Sequence, residues 1–244
     1  MCIRDRLKGL SDEFPKITVV ERKKTDTGPS FGHQFHLDSS YTENPPRFTM
    51  LLAKLVPTKG LGNTEFASQY LAYEKLPDDY KKKIENLKGV FSSSGSIAVT
   101  RLEREKEKGT GKAKAFEAIH NIVKTVNNRK AIYCSPGHVT NFLDLDEKEA
   151  KKLQNFLFKH QVKKEFVYAF EWEKNSIAMW DNRCTQHKVL NDFNEERVVQ
   201  RVTVMGDKPE GSSPKWEPFI QSGHDTDKSR YDNLLLECLN RKKS

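Results

Sequence analysis

A histidine and an aspartate separated by one residue, His36 and Asp38, form the first pair whose spacing could support chemistry. On a strand, residues i and i+2 point to the same face, so an imidazole nitrogen and a carboxylate oxygen would converge on one point. A third ligand must come from elsewhere, and His187, which follows a predicted strand and turn, is a good candidate. Two histidines and one carboxylate suit iron(II) oxygen chemistry. Taken alone, a His-x-Asp pair is common, and an exposed polar strand is its simpler explanation.

Two arginines four residues apart, Arg197 and Arg201, form a second pattern. On a strand they share a face and lie about 13 Å apart at about 3.3 Å per residue. If the valines of the opposite face pack under a helix, both guanidinium groups face the other layer, where burial is costly without an anion. A guanidinium is well shaped to bind a carboxylate. Salt bridges to Glu195 or Glu196 at a solvent edge explain the two arginines equally well.

These patterns and the sequence segments around them resemble the TauD/TfdA family, the taurine and 2,4-dichlorophenoxyacetate dioxygenases. The resemblance runs from about residue 17 to residue 207. Its segments, in chain order, are HLDSSY at 36–41, GNTEFA at 62–67, AYE at 72–74, EFVY at 165–168, MWDNRC at 179–184 and GD at 206–207. Their order and spacing make the resemblance specific.

The resemblance implies a mainly β fold, a double-stranded β-helix or jelly roll with flanking helices. It implies that Fe(II) is held by three metal ligands, which are His36, Asp38 and His187. It also implies that 2-oxoglutarate is bound by Thr64 and Arg197. No catalytic residue is expected beyond the metal ligands.

Substrate contacts are expected from Arg201, which would face an anionic group of the prime substrate. His33 and His138 are further candidates for substrate binding, although a structural role explains each of them too. Trp180 and Asn182 are expected to support the ligand loop rather than to touch substrate.

The implied activity is an iron(II)- and 2-oxoglutarate-dependent dioxygenase reaction. It would consume O2, release succinate and CO2, and hydroxylate a small anionic organic compound, which can thereby be cleaved. Sulfonates, sulfate esters, aryloxy acids and other carboxylates fit this description. Two alternatives stay open: a non-catalytic jelly-roll binding protein or inactive fragment, and a zinc hydrolase that uses the same ligands.

The elements that must position these residues are mostly strands, predicted at 17–21, 48–56, 166–172, 177–180 and 197–205. Helices are predicted at 66–76, 78–87 and 146–160, and an amphipathic helix at 231–239. Residues 92–114 are polar and glycine-punctuated, as expected of a surface loop or lid. Many strands with few helices favour an all-β core with helical additions.

Length and composition fit one dioxygenase domain at 17–207, between a poorly defined segment 1–16 and an extension 208–244. The opening MCIRDR is interpreted as an artefact, and only 35 residues precede His36, so we expect an N-terminally truncated chain. Despite the net charge of +8, no nucleic-acid motif is present. The chain lacks a long apolar run and a signal peptide, so we expect a cytoplasmic protein that binds no membrane. The C-terminal stripe could pack on its own barrel or on another copy, which leaves homo-oligomerisation open.

Overall fold

The described part of the computed structural model is built mainly of antiparallel strands. It comprises residues 14, 16–94 and 116–206 and the backbone of 213–214, so the predicted helix at 231–239 and most of the loop at 92–114 lie outside it. The strands are β1 (Thr18–Arg22), β2 (Pro46–Leu55), β3 (Thr64–Ser68), β4 (Lys88–Ser92), β5 (Glu117–Asn121), β6 (Val123–Val126), β7 (Arg129–Ile132), β8 (Val139–Phe142), β9 (Val167–Phe170), β10 (Ile177–Asp181), β11 (Thr185–Val189), β12 (Arg197–Met205) and β13 (Ser213–Pro214). The helices are α1 (Gln69–Glu74), α2 (Asp78–Ile84) and α3 (Glu147–His160), and a 3-10 turn spans Lys164–Phe166.

Two of the sheets form the walls of one pocket. The first sheet has the strand order β1-β12-β2-β10, and the second has the order β11-β3-β9. Side chains from β1, β2, β10 and β12 line one wall, and side chains from β3 and β11 line the other. A pocket between two antiparallel sheets is the arrangement of a jelly roll. The predicted fold class is confirmed.

The largest hydrophobic cluster lies under α3. Ala150, Leu153 and Leu157 are buried along one face of this helix, at the spacing that an amphipathic helix requires. The side chain of Asp146 accepts a hydrogen bond from the backbone N–H of Glu149 and so caps the N-terminus. The rest of the cluster includes buried residues of β4 and β8 and of the segment after His36. The helix therefore stiffens the barrel from outside and contributes nothing to the pocket lining.

The helix predicted at 66–76 begins later than expected, at Gln69. Residues 64–68 form β3, which pairs with β11 on one side and with β9 on the other. A strand with partners on both edges satisfies its backbone groups completely, and this outweighs the helical propensity of the local sequence. Ser68 then caps α1 by accepting from the N–H of Leu71.

The valines on the outer face of β12 do not pack under a helix, which was one of the arrangements considered for this strand. Val202 is 39% exposed and Val204 is 53% exposed, whereas Arg197 and Arg201 are each only 7% exposed. The arginine face is therefore the inner face of the sheet. The carboxylate of Glu195 accepts a hydrogen bond from the N–H of Thr58, on the far side of the loop, and is not the partner of either arginine. No helix among the described residues is long and apolar enough to cross a membrane.

Candidate metal centre and anion pocket

Three side chains that can ligate a metal converge at the inner end of the pocket. One ligand atom from each of His36, Asp38 and His187 lies within 4.8 Å of the other two. Asp38 Oδ1 is 3.8 Å from His36 Nε2 and 4.0 Å from His187 Nε2. All three residues are buried. The structure thus brings together the three residues that were predicted to ligate iron.

His36 and Asp38 do not lie on a regular strand, and a single β-bridge brings His36 next to His187. His36 and His187 exchange two backbone hydrogen bonds of 3.1 Å, which attach His36 to the free edge of β11. Asp38 already belongs to a turn, in which Ser39 has a positive φ of 43°. Leu37 points the other way and is fully buried in the main hydrophobic cluster. The alternation of a strand is kept over three residues, and this is enough to place both ligands on one side.

The protonation states of the three side chains match what a metal ion needs. Burial lowers the pKa of both His36 and His187, so the imidazoles stay neutral at neutral pH. Burial alone would raise the pKa of Asp38, but the positive charge of Arg201 holds it below its ordinary value. Metal ligation requires neutral imidazoles and an ionised carboxylate.

The two histidine rings are oriented by different means. His36 Nδ1 lies 2.8 Å from the carbonyl oxygen of Gln34, which places its proton on Nδ1 and leaves Nε2 free. Nδ1 of His187 has no hydrogen-bond partner among the described residues. Its ring packs instead against Trp180, at a centroid distance of 4.4 Å. Both Nε2 atoms consequently face Asp38.

Arg201 approaches the metal cluster from β12. Its Nη2 is 3.0 Å from Asp38 Oδ1, the same oxygen that faces the histidines. A buried carboxylate that accepts from a guanidinium stays ionised, because the pair offsets the desolvation of both charges. Arg201 therefore lies at the boundary between the metal cluster and the open pocket.

The pocket between the two sheets is partly open to solvent. Its polar lining is concentrated in six side chains, which are His36, Thr49, Thr64, His187, Arg197 and Arg201. The remaining lining is mainly apolar and includes Val20, Phe31, Leu51 and Trp180. Such a pocket suits an organic molecule that carries negative charge.

Arg197 is a buried cation that no side chain of the described residues neutralises. No carboxylate among the described residues lies within ion-pair distance of it, and its Nε is buried without a hydrogen-bond partner. Its guanidinium carbon lies 5.8 Å from the centre of the Trp172 ring. Burial lowers the pKa of Arg197 to about 10, which leaves it charged at neutral pH. A buried charge of this kind calls for an anion from outside the chain.

Thr64 offers a hydroxyl group in the same pocket. Its Oγ1 accepts a hydrogen bond of 2.9 Å from the indole N–H of Trp172. Because an indole nitrogen can only donate, the hydroxyl hydrogen of Thr64 stays available for an acceptor in the pocket. Trp172 thus connects Thr64 and Arg197, the two residues predicted to bind 2-oxoglutarate.

His33 and His138, the two weaker substrate candidates, are not among the lining residues. His33 is half-buried, with its Nδ1 3.1 Å from the carbonyl oxygen of Ser30. His138 is buried and bonded through Nδ1 to Ser40 Oγ at 2.9 Å, and burial lowers its pKa to about 3. A role for either toward substrate stays a prediction.

Thr49 and Trp172 were not predicted from the sequence to belong to the site. Thr49 is completely buried and donates to Asp38 Oδ2 at 2.6 Å. The spacing of these two residues from the other functional residues in the sequence does not indicate a functional role. The resemblance of residues 179–184 to the family was the nearest signal, since Trp180 and Asn182 prove to lie behind Thr49.

Two sheets that enclose two histidines, one carboxylate and an unpaired buried arginine define a class of protein, the jelly-roll non-haem metal oxygenases. The chain belongs to a family within this class, taurine catabolism dioxygenase TauD, TfdA, which matches residues 3–203. The match includes most of the segment 1–16. Family members are α-ketoglutarate-dependent dioxygenases, which use Fe(II), 2-oxoglutarate and O2.

Individual relatives agree with this membership. The chain is 29% identical over 229 residues to pentalenolactone F synthase of Streptomyces avermitilis, covering 86% of this chain and 74% of the relative. It is 29% identical over 201 residues to the α-ketoglutarate-dependent 2,4-dichlorophenoxyacetate dioxygenase of Cupriavidus pinatubonensis, covering 78% and 66%. Among solved structures, AAD-2 in complex with Mn(II) and N-oxalylglycine is 29% identical, with a TM-score of 0.66, covering 80% of this chain and 73% of that one.

Proposed function

We propose that this chain is an Fe(II)- and 2-oxoglutarate-dependent dioxygenase that hydroxylates a small anionic organic compound. The observation that carries the proposal is a metal-ligand trio and an unpaired buried guanidinium in one pocket. When bound, Fe(II) with 2-oxoglutarate and O2 supplies the oxidation, in which one oxygen atom enters the substrate and the other enters succinate as CO2 leaves.

The metal is held by His36, Asp38 and His187. Their donor set, two imidazoles and one carboxylate without a thiolate, favours Fe(II) and leaves positions open for other molecules. A zinc hydrolase would need a general base near a metal-bound water. No carboxylate side chain lines the pocket among the described residues, and the adjacent Asp38 is already used as a ligand.

The co-substrate is bound by Arg197 and Thr64. The guanidinium of Arg197 pairs with the distal carboxylate of 2-oxoglutarate, which supplies the counter-ion that the described residues do not. The hydroxyl of Thr64 donates to the same molecule. Trp172 holds both side chains in place, through its N–H to Thr64 and its ring face to Arg197.

The prime substrate is anionic and carries an apolar body. Arg201 is the cation on the metal side of the pocket, and its guanidinium can bind a sulfonate, a sulfate ester or a carboxylate. Phe31, Val20 and Leu51 offer apolar surface to the organic part. The relative that acts on 2,4-dichlorophenoxyacetate, a carboxylate with an aromatic body, supports this substrate class.

The test is succinate release by the purified chain loaded with Fe(II) under argon and then exposed to air. The panel contains sulfonates, sulfate esters and aryloxy acids with 2-oxoglutarate. We expect at least one anion to raise succinate release, a chelator to abolish it, and Fe(II) but not Zn(II) to restore it. A folded, iron-loaded sample that releases no succinate with any member of the panel would favour a non-catalytic binding protein.

A further inference from the structure

The two oxygens of Asp38 have different surroundings. Oδ1 faces the Nε2 atoms of His36 and His187. Oδ2 points away from the histidines and accepts the hydroxyl hydrogen of Thr49 at 2.6 Å. The carboxylate therefore presents one oxygen to the position of the ion, and Thr49 holds the other.

Two further side chains stand behind Thr49 in a line of hydrogen bonds. Asn182 Nδ2 donates to Thr49 Oγ1 at 2.8 Å, and Trp180 Nε1 donates to Asn182 Oδ1 at 2.9 Å. Trp180, Asn182 and Thr49 are all buried. We call these three residues the support chain.

The direction of every bond in the support chain follows from its first member. An indole nitrogen can only donate, so the amide oxygen of Asn182 must face Trp180 and its NH2 group must face Thr49. The hydroxyl oxygen of Thr49 accepts from that NH2 group, and its single hydrogen is left for Asp38. The chain thus ends in a donor aimed at the carboxylate.

The pairing of β2 with β10 builds the support chain into the sheet. Trp180 is the cross-strand partner of Thr49, so the two side chains share the inner face. Asn182 follows two residues later, and its backbone N–H donates to the carbonyl oxygen of Arg47 at 2.8 Å. The support chain is consequently fixed by backbone hydrogen bonds at both strands.

We propose that Thr49 is a positioning residue which, oriented by Trp180 and Asn182, holds the carboxylate of Asp38 with Oδ1 turned toward the metal position. This inference rests on the proposed function. Partners of this kind around metal ligands typically change metal affinity by about 10–100-fold when they are removed.

The test compares two substitutions at one position. Thr49→Val removes the hydroxyl and keeps the shape, whereas Thr49→Ser keeps the hydroxyl. Affinity for Mn(II) alone is measured from the electron paramagnetic resonance signal of the free ion, without turnover. We expect Thr49→Val to bind Mn(II) about 10–100-fold more weakly than wild type and Thr49→Ser to bind it with near wild-type affinity.

Thr203→Val is the matched control. Thr203 is the partner of Thr49 on the neighbouring strand β12, and it does not belong to the support chain. The same loss of a hydroxyl there should leave Mn(II) affinity unchanged. If Thr49→Val unfolds, Trp180→Phe provides the second test, because it removes the N–H that orients Asn182 and should also weaken Mn(II) binding.

The outcomes separate this inference from the proposed function. If Thr49 only reduced the charge on Asp38, its loss would tighten Mn(II) binding, so an equal or higher affinity in Thr49→Val overturns the inference. Unchanged affinity in a folded Trp180→Phe overturns the orienting role of Trp180. A wild-type chain that binds no Mn(II) would instead contradict the proposed metal centre itself.

Discussion

Replacing Arg197 by methionine should make the ligand-free protein more stable while it abolishes the response to 2-oxoglutarate. The guanidinium is buried, and no carboxylate among the described residues pairs with it. Methionine keeps an apolar stem of similar length and removes the charge. A residue kept for the fold would behave in the opposite way, so the two effects together identify a binding residue.

The magnitude follows from the cost of holding the charge. Burial lowers the pKa of Arg197 from 12.5 to about 10, which corresponds to a cost of about 3 kcal/mol. At neutral pH the guanidinium is protonated in both the folded and the unfolded chain, so the whole cost is present. Allowing for lost packing, we expect the free energy of unfolding to rise by about 1–3 kcal/mol.

The loss of ligand binding should be larger. Removing one partner of a buried, hydrogen-bonded charge pair costs about 2–5 kcal/mol, which is roughly a 30-fold to several-thousand-fold increase in Kd for 2-oxoglutarate. Urea unfolding is measured in Mn(II) with and without 2-oxoglutarate. Wild type should gain stability from 2-oxoglutarate by mass action, and Arg197→Met should not.

Arg129→Met is the control, because Arg129 is an exposed arginine paired with Glu74 at 2.6 Å. It should change neither ligand-free stability by more than about 0.5 kcal/mol nor the response to 2-oxoglutarate. The reasoning is refuted if Arg197→Met is less stable than wild type without ligand and still responds to 2-oxoglutarate as wild type does.

Three further predictions concern single side chains. Thr64→Val should raise the KM for 2-oxoglutarate about tenfold, the value of one hydrogen bond to a charged group, and an unchanged KM would exclude Thr64 from the co-substrate site. Arg201→Gln should raise the KM for the prime substrate far more than the KM for 2-oxoglutarate, and equal effects would contradict the division between the two arginines. Burial and Lys124 lower the pKa of His120 to about 3, so its contribution to stability is complete above pH 6.5 and is lost as the pH falls toward about 3. We therefore expect the free energy of unfolding of His120→Gln to fall less steeply than that of wild type between pH 5.5 and 4.5, by about 1.4 kcal/mol per pH unit. A slope equal to that of wild type would contradict the burial argument.

Local patterns in the sequence were sufficient to predict two of the three metal ligands. His36 and Asp38 share a side of the chain because the alternation of an extended backbone holds over three residues. The partner at 187 was predicted from its place after a strand and turn and from the family resemblance, since the separation of 151 residues does not itself indicate a contact. The backbone bridge between His36 and His187 explains why the two distant segments meet.

The environment of the two arginines could not be decided from the sequence. An apolar opposite face, with Val202 and Val204, suggested burial under a helix, but these valines are largely exposed. The burial of Arg197 depends on β12 lying between β1 and β2, a pairing of segments far apart in the chain. Such long-range pairings leave no local pattern.

The start of α1 and the role of Thr49 were missed for the same physical reason. Residues 66–68 look helical in isolation, but β3 has a partner strand on each side, and the hydrogen bonds to these strands favour the extended conformation. Thr49 reaches Asp38 only because β2 pairs with β10 in a particular register. A shift of one residue would turn its hydroxyl to the outer face.

Binding of Fe(II) under argon, measured by equilibrium dialysis, tests the central claim most directly. The wild-type chain should bind one ion, and His187→Ala should lose it. His33→Ala should bind as wild type does, because His33 lies nearby in the sequence but outside the trio. If His187→Ala binds Fe(II) with the affinity of wild type, then the metal centre has been assigned to the wrong residues.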